Sequence, residues 1–575
     1  MVTPLCAQAI RGNVFGGGQI AQVAGNTTVT IRTGSVEVKD SEGGNVYGGG
    51  EAANITVGEN GSGTTTVIVD GGTIDKSVYG GGHGNTTNVA TSTTVTANGG
   101  TIGEDVYGGS GFGKVGATAV TINKRATVTR DVFGGGFGST SPDYEADVNG
   151  NASVTINKGA IINGNVYGGN NTNGSPKGTI TVLVDGPVDE TEKAATPLNL
   201  NSVFGGGKNA ATTSSAAPAV TIQGCETVIA RVFGGGDAAS APATDVEIWG
   251  GHIANAFAGG NGENVAAHIG YLADGTPYTY GTGNTQITIK GGVIDNVFGG
   301  SNSAGNIRGD ASVNVEKDDA ACDVQITNLY GGGNKAPGKA GTINIVCTGN
   351  GLIENVFGGA NAADINSDIS LVITGGRINN VFGGNNNSGS INGTISVIVD
   401  WDEACDNNYL KNVYGAGNLA QYSAPAGNDN YPRVVIRNAT IEQNVYGGGK
   451  GDATRPSENL GQVTGNPQVF VGTASCETDG PNNSTHTVTV KGSIYGGGDA
   501  APVTGNPYVE TNGMTNAGVT INNYVFGGGL GATAKITGST LVKILGNTRI
   551  DKNVYGGGFG GDVTGNTHVV IGGED

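Results

Sequence analysis

A motif of the form NVYGGG recurs eighteen times along the 575 residues, and this repetition limits the choice of fold more than any other feature. Its aromatic residue returns about every 32 residues, with spacings from 24 to 49, which indicates a fixed core with loops of variable length. Phe and Tyr each occupy nine of the positions. The positions are Phe15, Tyr47, Tyr79, Tyr107, Phe133, Tyr167, Phe204, Phe233, Phe257, Phe298, Tyr330, Phe357, Phe382, Tyr414, Tyr446, Tyr495, Phe526 and Tyr555.

Each copy also contains a segment in which apolar and polar residues alternate, followed by a turn with Gly. Examples are TVTIRTG (28–34), SVTINKG (153–159) and TQITIKGG (285–292). Alternation with a period of two predicts β-strands, and a short apolar step before the motif brings the count to about three short strands per unit. Tandem units of one kind stack most simply with each strand over its equivalent, which predicts parallel ladders.

The repeats therefore predict an all-β fold, a right-handed parallel β-helix (β-solenoid) of about 18 coils with one repeat per coil. The shortest unit, 24 residues, is long enough for one three-sided coil of short strands. We expect residues 1–12 to be a leader or an N-terminal cap and residues 13–575 to form a single continuous solenoid. Longer loop insertions are expected near 261–284 and 450–484.

The positions of the motif predict different environments for their side chains. The residue before the aromatic is apolar in every copy and is expected to point into the core. The residue before that is most often Asn, which suits a turn where the side-chain amide either stacks into a ladder or holds a left-handed backbone. Since neighbours on a strand face opposite ways, the aromatic is expected to form a partly exposed stack. The glycines that follow permit positive φ and leave bare backbone beneath a ring.

Composition excludes several classes of function. The net charge of −19 disfavours electrostatic binding of nucleic acid or anionic membranes. No apolar stretch approaches the ~18 residues of a membrane-spanning helix, so we expect no membrane-spanning segment. Among the six cysteines, Cys322 and Cys347 lie about one repeat apart, which suggests either a disulfide between them or free buried thiols. No cysteine spacing suits zinc, no phosphate-binding loop follows the glycines, and no cofactor is expected.

Two carboxylates give the best local case for catalysis. Asp105 and Asp131 occupy the Asn position of consecutive motifs, so their backbones would lie ~4.8 Å apart on one ladder. Such a pair could share a cation or serve a polysaccharide lyase or glycosidase. Alternatively, both are ladder positions filled by Asp, with Arg130 offering a positive charge beside Asp131. We favour the ladder and expect no enzyme. The five histidines are dispersed without a catalytic grouping.

Outward threonines raise ice binding as a minor alternative. Thr28 and Thr30 would suit a flat threonine array, but the corresponding positions hold Ser153, Gln286 and Ser396 in other copies. The preference of Thr for strands explains these threonines more simply.

The insertion after Phe257 contains the preferred candidate for partner binding. HIGYLADGTPYTYG places His268, Tyr271, Tyr278 and Tyr280 on one loop. Tyr-rich loops on a rigid scaffold are common recognition elements. The alternative is a loop that packs onto its own coil.

NVYGGG, together with AQVAGNTTVTI (21–31), APVTGNPYV (501–509) and GDVTGNTHVVI (561–571), resembles the large glycine-rich repeat proteins of host-associated anaerobic bacteria. The resemblance covers the whole chain and implies an adhesin-like β-helix at the bacterial cell surface or outside the cell. It implies a structural or adhesive role, with glycans or host or bacterial surface proteins as partners. A carbohydrate-active β-helix remains the alternative, because solenoids carry several functions.

The chain ends at THVVIGGED (567–575), where other units continue through a Gly turn into another motif. Exposed strand edges and core favour association. We therefore expect that the protein either continues beyond Asp575 or self-associates end to end.

Overall fold

A computed structural model describes residues 8–34, 36–39, 44–185, 198–402, 405–472, 487–514 and 518–572. Two compact units make up the chain. The first contains residues 1–294, 301–310 and 318–322, and the second contains residues 295–300, 311–317 and 323–575.

The first unit is built from parallel ladders. Strands of the alternating segments form the alternating ladder, a second ladder carries the aromatics, and a middle ladder lies between them in the chain. The alternating ladder contains Thr27–Ile31, Thr64–Val69, Asn88–Ala97, Lys114–Ile122, Ala152–Ile156, Ile180–Val184, Ala219–Ile222, Thr244–Ile248 and Thr285–Ile289. The aromatic ladder contains Val14–Phe15, Val46–Tyr47, Val78–Tyr79, Val106–Tyr107, Val132–Phe133, Val166–Tyr167, Asn199–Phe204, Val228–Phe233 and His252–Phe257.

Shorter strands complete the first unit. The middle ladder contains Gln8–Arg11, Val36–Lys39, Thr73–Ile74, Gly100–Ile102, Ala126–Val128 and Ile161–Ile162, and the returning loops add Val23–Ala24 and Ile55–Thr56. Ser139–Thr140 and Asp143–Tyr144 form a small antiparallel hairpin. Of residues 1–12, expected to be a leader or cap, 1–7 lie outside the described residues, and Gln8–Arg11 pairs with Val36–Lys39.

The second unit repeats this arrangement. Its alternating ladder contains Ala311–Glu316, Thr342–Cys347, Ile369–Ile373, Ile395–Asp400, Arg433–Ile441, Gln468–Gly472, Tyr508–Gly513, Thr540–Gly546 and Thr567–Ile571. Its aromatic ladder contains Val324–Tyr330, Leu352–Phe357, Arg377–Phe382, Tyr409–Tyr414, Val445–Tyr446, Ile494–Tyr495, Val525–Phe526 and Val554–Tyr555. Strand Gly292–Phe298 has its first three residues in the first unit and the others in the second.

The remaining strands of the second unit are short. They are Val488–Val490, Val519–Ile521 and Thr548–Ile550 in the middle ladder, and Tyr422–Ser423, Val463–Thr464, Val503–Thr504 and Ile536–Thr537 in the returning loops. The described residues contain one short 3-10 helix, Pro456–Glu458. The chain is thus all-β with long parallel sheets, as the repeats predict. The expected insertion at 261–284 is described in full. Of the one expected at 450–484, residues 450–472 are described and 473–484 lie outside the described residues.

Equivalent motif residues pair in register from copy to copy. Val106 pairs with Val132, and Tyr107 pairs with Phe133. Sixteen of the eighteen residues that precede an aromatic are fully buried, and the exceptions are in the first and last copies, Val14 and Val554. The inward direction of this row is as predicted. Because each buried Val removes apolar surface from water, about 1.5–3 kcal/mol per side chain, the row is a main source of stability.

The Asn positions of the motif form an amide ladder. In the second unit the Nδ2 of Asn355 donates to Oδ1 of Asn328, and that of Asn380 donates to Oδ1 of Asn355, both at 3.0 Å. The Nδ2 of Asn412 continues the row to Oδ1 of Asn380 at 3.1 Å. The stacking of the amides was predicted, but their place at a turn is wrong for this row, because these asparagines lie within strands and pair in register. The ladder satisfies the side-chain amides along the sheet.

Candidate functional site

The motif aromatics form a stack of parallel rings in each unit. In the first unit, from Phe15 to Phe257, ring centroids lie 4.7–4.9 Å apart and ring planes differ by 5–11°. In the second, from Phe298 to Tyr555, the ranges are 4.7–5.0 Å and 3–10°. Fifteen of the eighteen rings are buried. The expectation of a partly exposed stripe is therefore wrong, and the stack is core rather than a binding surface.

The loop after the glycines explains this burial. Asn171 lies four residues after Tyr167, and its Nδ2 donates to the hydroxyl of Tyr107, two repeats earlier, at 2.8 Å. Asp237, four residues after Phe233, accepts a hydrogen bond from the hydroxyl of Tyr167 at 3.3 Å. The same offset relates Asn386 to Tyr330 and Asp499 to Tyr414. The free exchange of Phe and Tyr thus reflects a polar rim made by the protein, not solvent.

Burial raises the pKa of the buried tyrosines of the stack. Desolvation is the main cause for Tyr167, and the neighbouring carboxylate of Asp237 raises its pKa further. Desolvation raises the pKa of Tyr330 to about 12, although its hydrogen bond with Asn386 acts in the opposite direction. The phenols therefore remain neutral hydrogen-bonding groups at ordinary pH.

Asp105 and Asp131 lie side by side, because the strands that follow them pair in register. The backbone N–H of Asp131 donates to Oδ1 of Asp105 at 2.9 Å, which is the contact that an asparagine ladder makes. The two residues are 5% and 7% exposed. Nε of Arg130 lies 3.6 Å from Oδ1 of Asp105, and Nζ of Lys208 lies 2.7 Å from Oδ2 of Asp131.

Each of these carboxylates thus has a cationic partner of its own. Burial raises the pKa of Asp105, whereas the backbone N–H of Asp131 and the charge of Arg130 lower it. The hydroxyl of Tyr107 donates to the other oxygen of Asp105 at 3.1 Å. With hydrogen bonds and separate cations engaging both groups, the arrangement supports a place in the ladder more than a catalytic pair.

The tyrosine-rich loop packs onto its own unit. Tyr278 is buried, and its hydroxyl donates to the backbone carbonyl of Thr212 at 3.0 Å. The ring of Tyr280 lies 5.4 Å from that of Tyr278. Nη1 of Arg308 donates to the carbonyl of Tyr278 at 2.8 Å, and Nη2 donates to that of Gly281 at 2.6 Å. These contacts give Tyr278 a structural role.

The other half of the loop remains more accessible. His268 and Tyr271 are partly exposed, with ring centroids 6.5 Å apart. Nδ1 of His268 accepts the backbone N–H of Asn306 at 3.0 Å, which fixes its ring. Of the four predicted residues, Tyr278 is buried, whereas His268, Tyr271 and Tyr280 are partly exposed.

The remaining His, Cys, Asp and Glu side chains bear on a possible metal site. Within the described ranges, no group of three or more His, Cys, Asp or Glu side chains could hold a metal ion. His486 lies outside those ranges. The part of the chain that the structure describes also has no helix with the length and apolar character needed to cross a membrane.

Four cysteines form two disulfides, one in each unit. Cys225 is bonded to Cys322, with Cα atoms 5.7 Å apart, and Cys347 is bonded to Cys405, with Cα atoms 5.3 Å apart. The suggested pairing of Cys322 with Cys347, and its alternative of free thiols, are both wrong. The loop that ends at Cys322 folds back across earlier turns, as shown by its backbone N–H bond to the carbonyl of Trp249 at 3.0 Å.

The second unit also contains a groove whose residues were not predicted from the sequence to form a site. Its volume is about 420 Å³, and it lies where returning loops enter the alternating ladder. The lining includes Asn466, Asn506, Asn566, Tyr508 and His568. Two of these asparagines lie within the segments APVTGNPYV and GDVTGNTHVVI, so the recurrence of Gly-Asn before the strand was the available signal.

Comparison of the chain with protein-family models, curated proteins and solved structures finds no match.

Proposed function

We propose that the chain is a structural or adhesive β-solenoid of a bacterial surface or secreted protein, right-handed, with about 18 coils and one repeat per coil. The observation that carries this proposal is the in-register pairing of equivalent motif residues within each unit. The motif serves internal contacts in every copy, which leaves the outward rows of the strands and the loops to meet glycans or surface proteins.

The two disulfides support a location outside the cytoplasm. Disulfides persist in oxidising environments and are rare in cytosolic proteins, where thiols are kept reduced. In each unit the bond joins segments that are far apart in sequence, separated by 97 and 58 residues. Such bonds suit a protein that works at a cell surface or outside the cell.

Beads coated with the chain test the adhesive role. We expect them to be retained on glycan arrays, epithelial cells or bacterial cells more than beads coated with the same chain after reduction and unfolding. Equal retention of the two kinds of bead on every surface would overturn the adhesive role.

The carbohydrate-active alternative has its own measurement. Incubation with polysaccharides, followed by assay of reducing and unsaturated ends, is expected to release no product. Product formation that Asp105→Asn or Asp131→Asn abolishes would replace the adhesive proposal with an enzymatic one.

A further inference from the structure

We propose that the groove of the second unit binds an uncharged, linear oligosaccharide. The inference rests on the proposed function, because it names a ligand class for an adhesive solenoid. A volume of about 420 Å³ lies within the range of small-molecule sites. Three parts of the groove's chemistry favour such a ligand: a row of oriented amides, a wall with an aromatic and an apolar side chain, and a lining without acidic or strongly basic residues.

The first part is a row of amides whose orientation is fixed. The backbone N–H of Asn506 donates to Oδ1 of Asn466 at 2.8 Å, and that of Ser539 donates to Oδ1 of Asn506 at 2.8 Å. The N–H of Asn566 then donates to the hydroxyl of Ser539 at 3.0 Å. Because each N–H can only donate, it assigns the oxygen of the amide that it meets.

Asn506 is exposed, the N–H of Ser539 fixes its amide, and the described residues provide no acceptor for its Nδ2. Nδ2 of Asn466 instead donates to Oδ1 of Asn430 at 3.2 Å. Asn566 is also exposed, and no hydrogen bond within the described residues orients its side-chain amide. Amide donors held in place by the fold bind hydroxyl groups with little loss of conformational entropy. Asn566 lies two repeats beyond Asn506, at ~4.8 Å per step, so the two side chains offer amide donors to a ligand that extends along the ladder.

The second part is the wall beside the amides. Gln468, Tyr508, Leu541 and His568 succeed one another in register on neighbouring strands of the alternating ladder. All four line the groove. A ring and an aliphatic side chain next to amides match a pyranose unit, which has an apolar face of C–H groups and a rim of hydroxyls.

The third part is the charge of the lining. Its eleven residues are Asn, Gln, Ser, Thr, Pro, Leu, Tyr and one His, with no Asp, Glu, Lys or Arg. Lys543, whose Nζ lies 5.7 Å from the centroid of the Tyr508 ring, and Glu510, which accepts the hydroxyl of Tyr508, contact the wall with opposite charges. An acidic polysaccharide or a nucleic acid would therefore find no net positive charge there to offset the loss of its hydration. A neutral glycan needs only hydrogen-bond partners, and without a carboxylate in the lining the groove holds its ligand rather than cleaving it.

Calorimetric titration of the full chain tests the site. The probes are the neutral hexasaccharides of cellulose, xylan and mannan, with hexagalacturonate as the charged probe. We expect at least one neutral probe to bind and hexagalacturonate not to bind. Binding of hexagalacturonate alone, or of none of the probes, would overturn the assignment.

Variants then locate the binding. Asn566→Ala and His568→Ala change exposed side chains, so folding should persist, which circular dichroism checks. We expect the double variant to weaken binding at least about tenfold. Asn26→Ala, at the equivalent position before Thr27 in the first unit, and Tyr271→Ala, in the tyrosine-rich loop, should leave the dissociation constant unchanged.

The outcomes separate this site from the proposed function. Glycan binding that is unaffected by the double variant, or reduced by Tyr271→Ala instead, would overturn the groove while leaving an adhesive protein. Coated beads that adhere although no neutral probe binds would point to a protein partner and overturn the groove alone. Neutral probes that bind while beads adhere nowhere would overturn adhesion and leave the groove.

Discussion

At the scale of single residues, the glycines after each aromatic have a different role from the one that their conformational freedom suggests. None of them has a positive φ in the described residues. A Cβ on Gly48 would instead lie 2.3 Å from the carbonyl oxygen of Gly80, and one on Gly80 would lie 2.2 Å from that of Gly108. These glycines are required because neighbouring repeats approach too closely for a side chain.

Substitution of one such glycine should therefore destabilise the protein only where the backbone of the next repeat lies against it. A Cβ on Gly528 would lie 2.8 Å from the backbone of Gly558, whereas one on Gly557, at the same motif position in the last copy, would meet nothing within 4 Å. We expect Gly528→Ala to lower the free energy of unfolding by about 1–3 kcal/mol and Gly557→Ala to change it by less than about 0.5 kcal/mol. Denaturant unfolding measures both, and equal effects would contradict this explanation.

The buried tyrosines of the stack predict sensitivity to alkali. Their unfolded pKa is near 10.0, and burial raises it in the folded protein, to about 12 for Tyr330. Below pH 10 both states keep the proton and the stability is fully present. Above pH 10 the unfolded state loses protons first, so the free energy of unfolding falls as the pH rises through the folded pKa.

Phenolate absorbance and circular dichroism, recorded together, check this expectation. Most stack tyrosines should ionise only as the β signal is lost. Tyr330→Phe keeps the ring but removes one titrating group, so its stability should fall less between pH 10 and 12 than that of the unchanged chain. Ionisation of the whole tyrosine set near pH 10 with the fold intact would show that the rings are accessible.

At the scale of elements, local patterns predicted the strands well. The alternation in SVTINKG corresponds to strand Ala152–Ile156, whose residues are alternately buried and half-buried. Parallel pairing followed from the repeats, because equivalent strands can all satisfy their hydrogen bonds at once. The burial of the aromatics did not follow, since the residue that covers Tyr107 lies 64 positions further along the chain.

The disulfides show a similar limit. Repeat spacing relates Cys322 to Cys347, but the loop before Cys322 leaves the ladder and crosses two Gly-containing turns to reach Cys225. A Cβ on Gly250 would lie 2.4 Å from Sγ of Cys322, so the glycine makes room for the bond. Partner choice depended on a loop path that periodicity does not encode. The groove was missed because its residues come from separate repeats.

Removal of the Cys225–Cys322 bond should destabilise the first unit. The bond closes a loop of 97 residues, and its loss should lower the free energy of unfolding by about 2–4 kcal/mol, because the unfolded chain gains freedom. The measurement is thermal unfolding of the Cys225→Ser/Cys322→Ser variant beside the unchanged chain. Reductant should lower the melting temperature of the unchanged chain more than that of the variant. Equal shifts would show that this bond adds no stability.

At the scale of the whole molecule, the net charge opposes association between copies of the chain, whereas exposed core residues favour it. The charge of −19 makes copies of the chain repel one another, and salt weakens that repulsion. In the polypeptide of residues 1–575, the last repeat exposes residues whose equivalents in other repeats are buried: Tyr555 is 41% exposed, whereas the equivalent Phe526 is 4% exposed. Phe559 and Ile571 are 57% and 75% exposed. Association through this surface should therefore strengthen as salt is added.

Light scattering of residues 1–575 over a range of concentrations tests that association. Strand Thr567–Ile571 pairs with Thr540–Gly546 on one side, and the described residues supply no strand for its other side, so a second copy can add there. We expect the apparent mass to rise with concentration, and more steeply at high salt. Ile571→Lys should reduce the rise, because a charged side chain on an edge strand opposes pairing, whereas Ile161→Lys, on an exposed position of the middle ladder, should not. A monomer at every concentration, or an equal rise in both variants, would show that the last repeat is not an association surface.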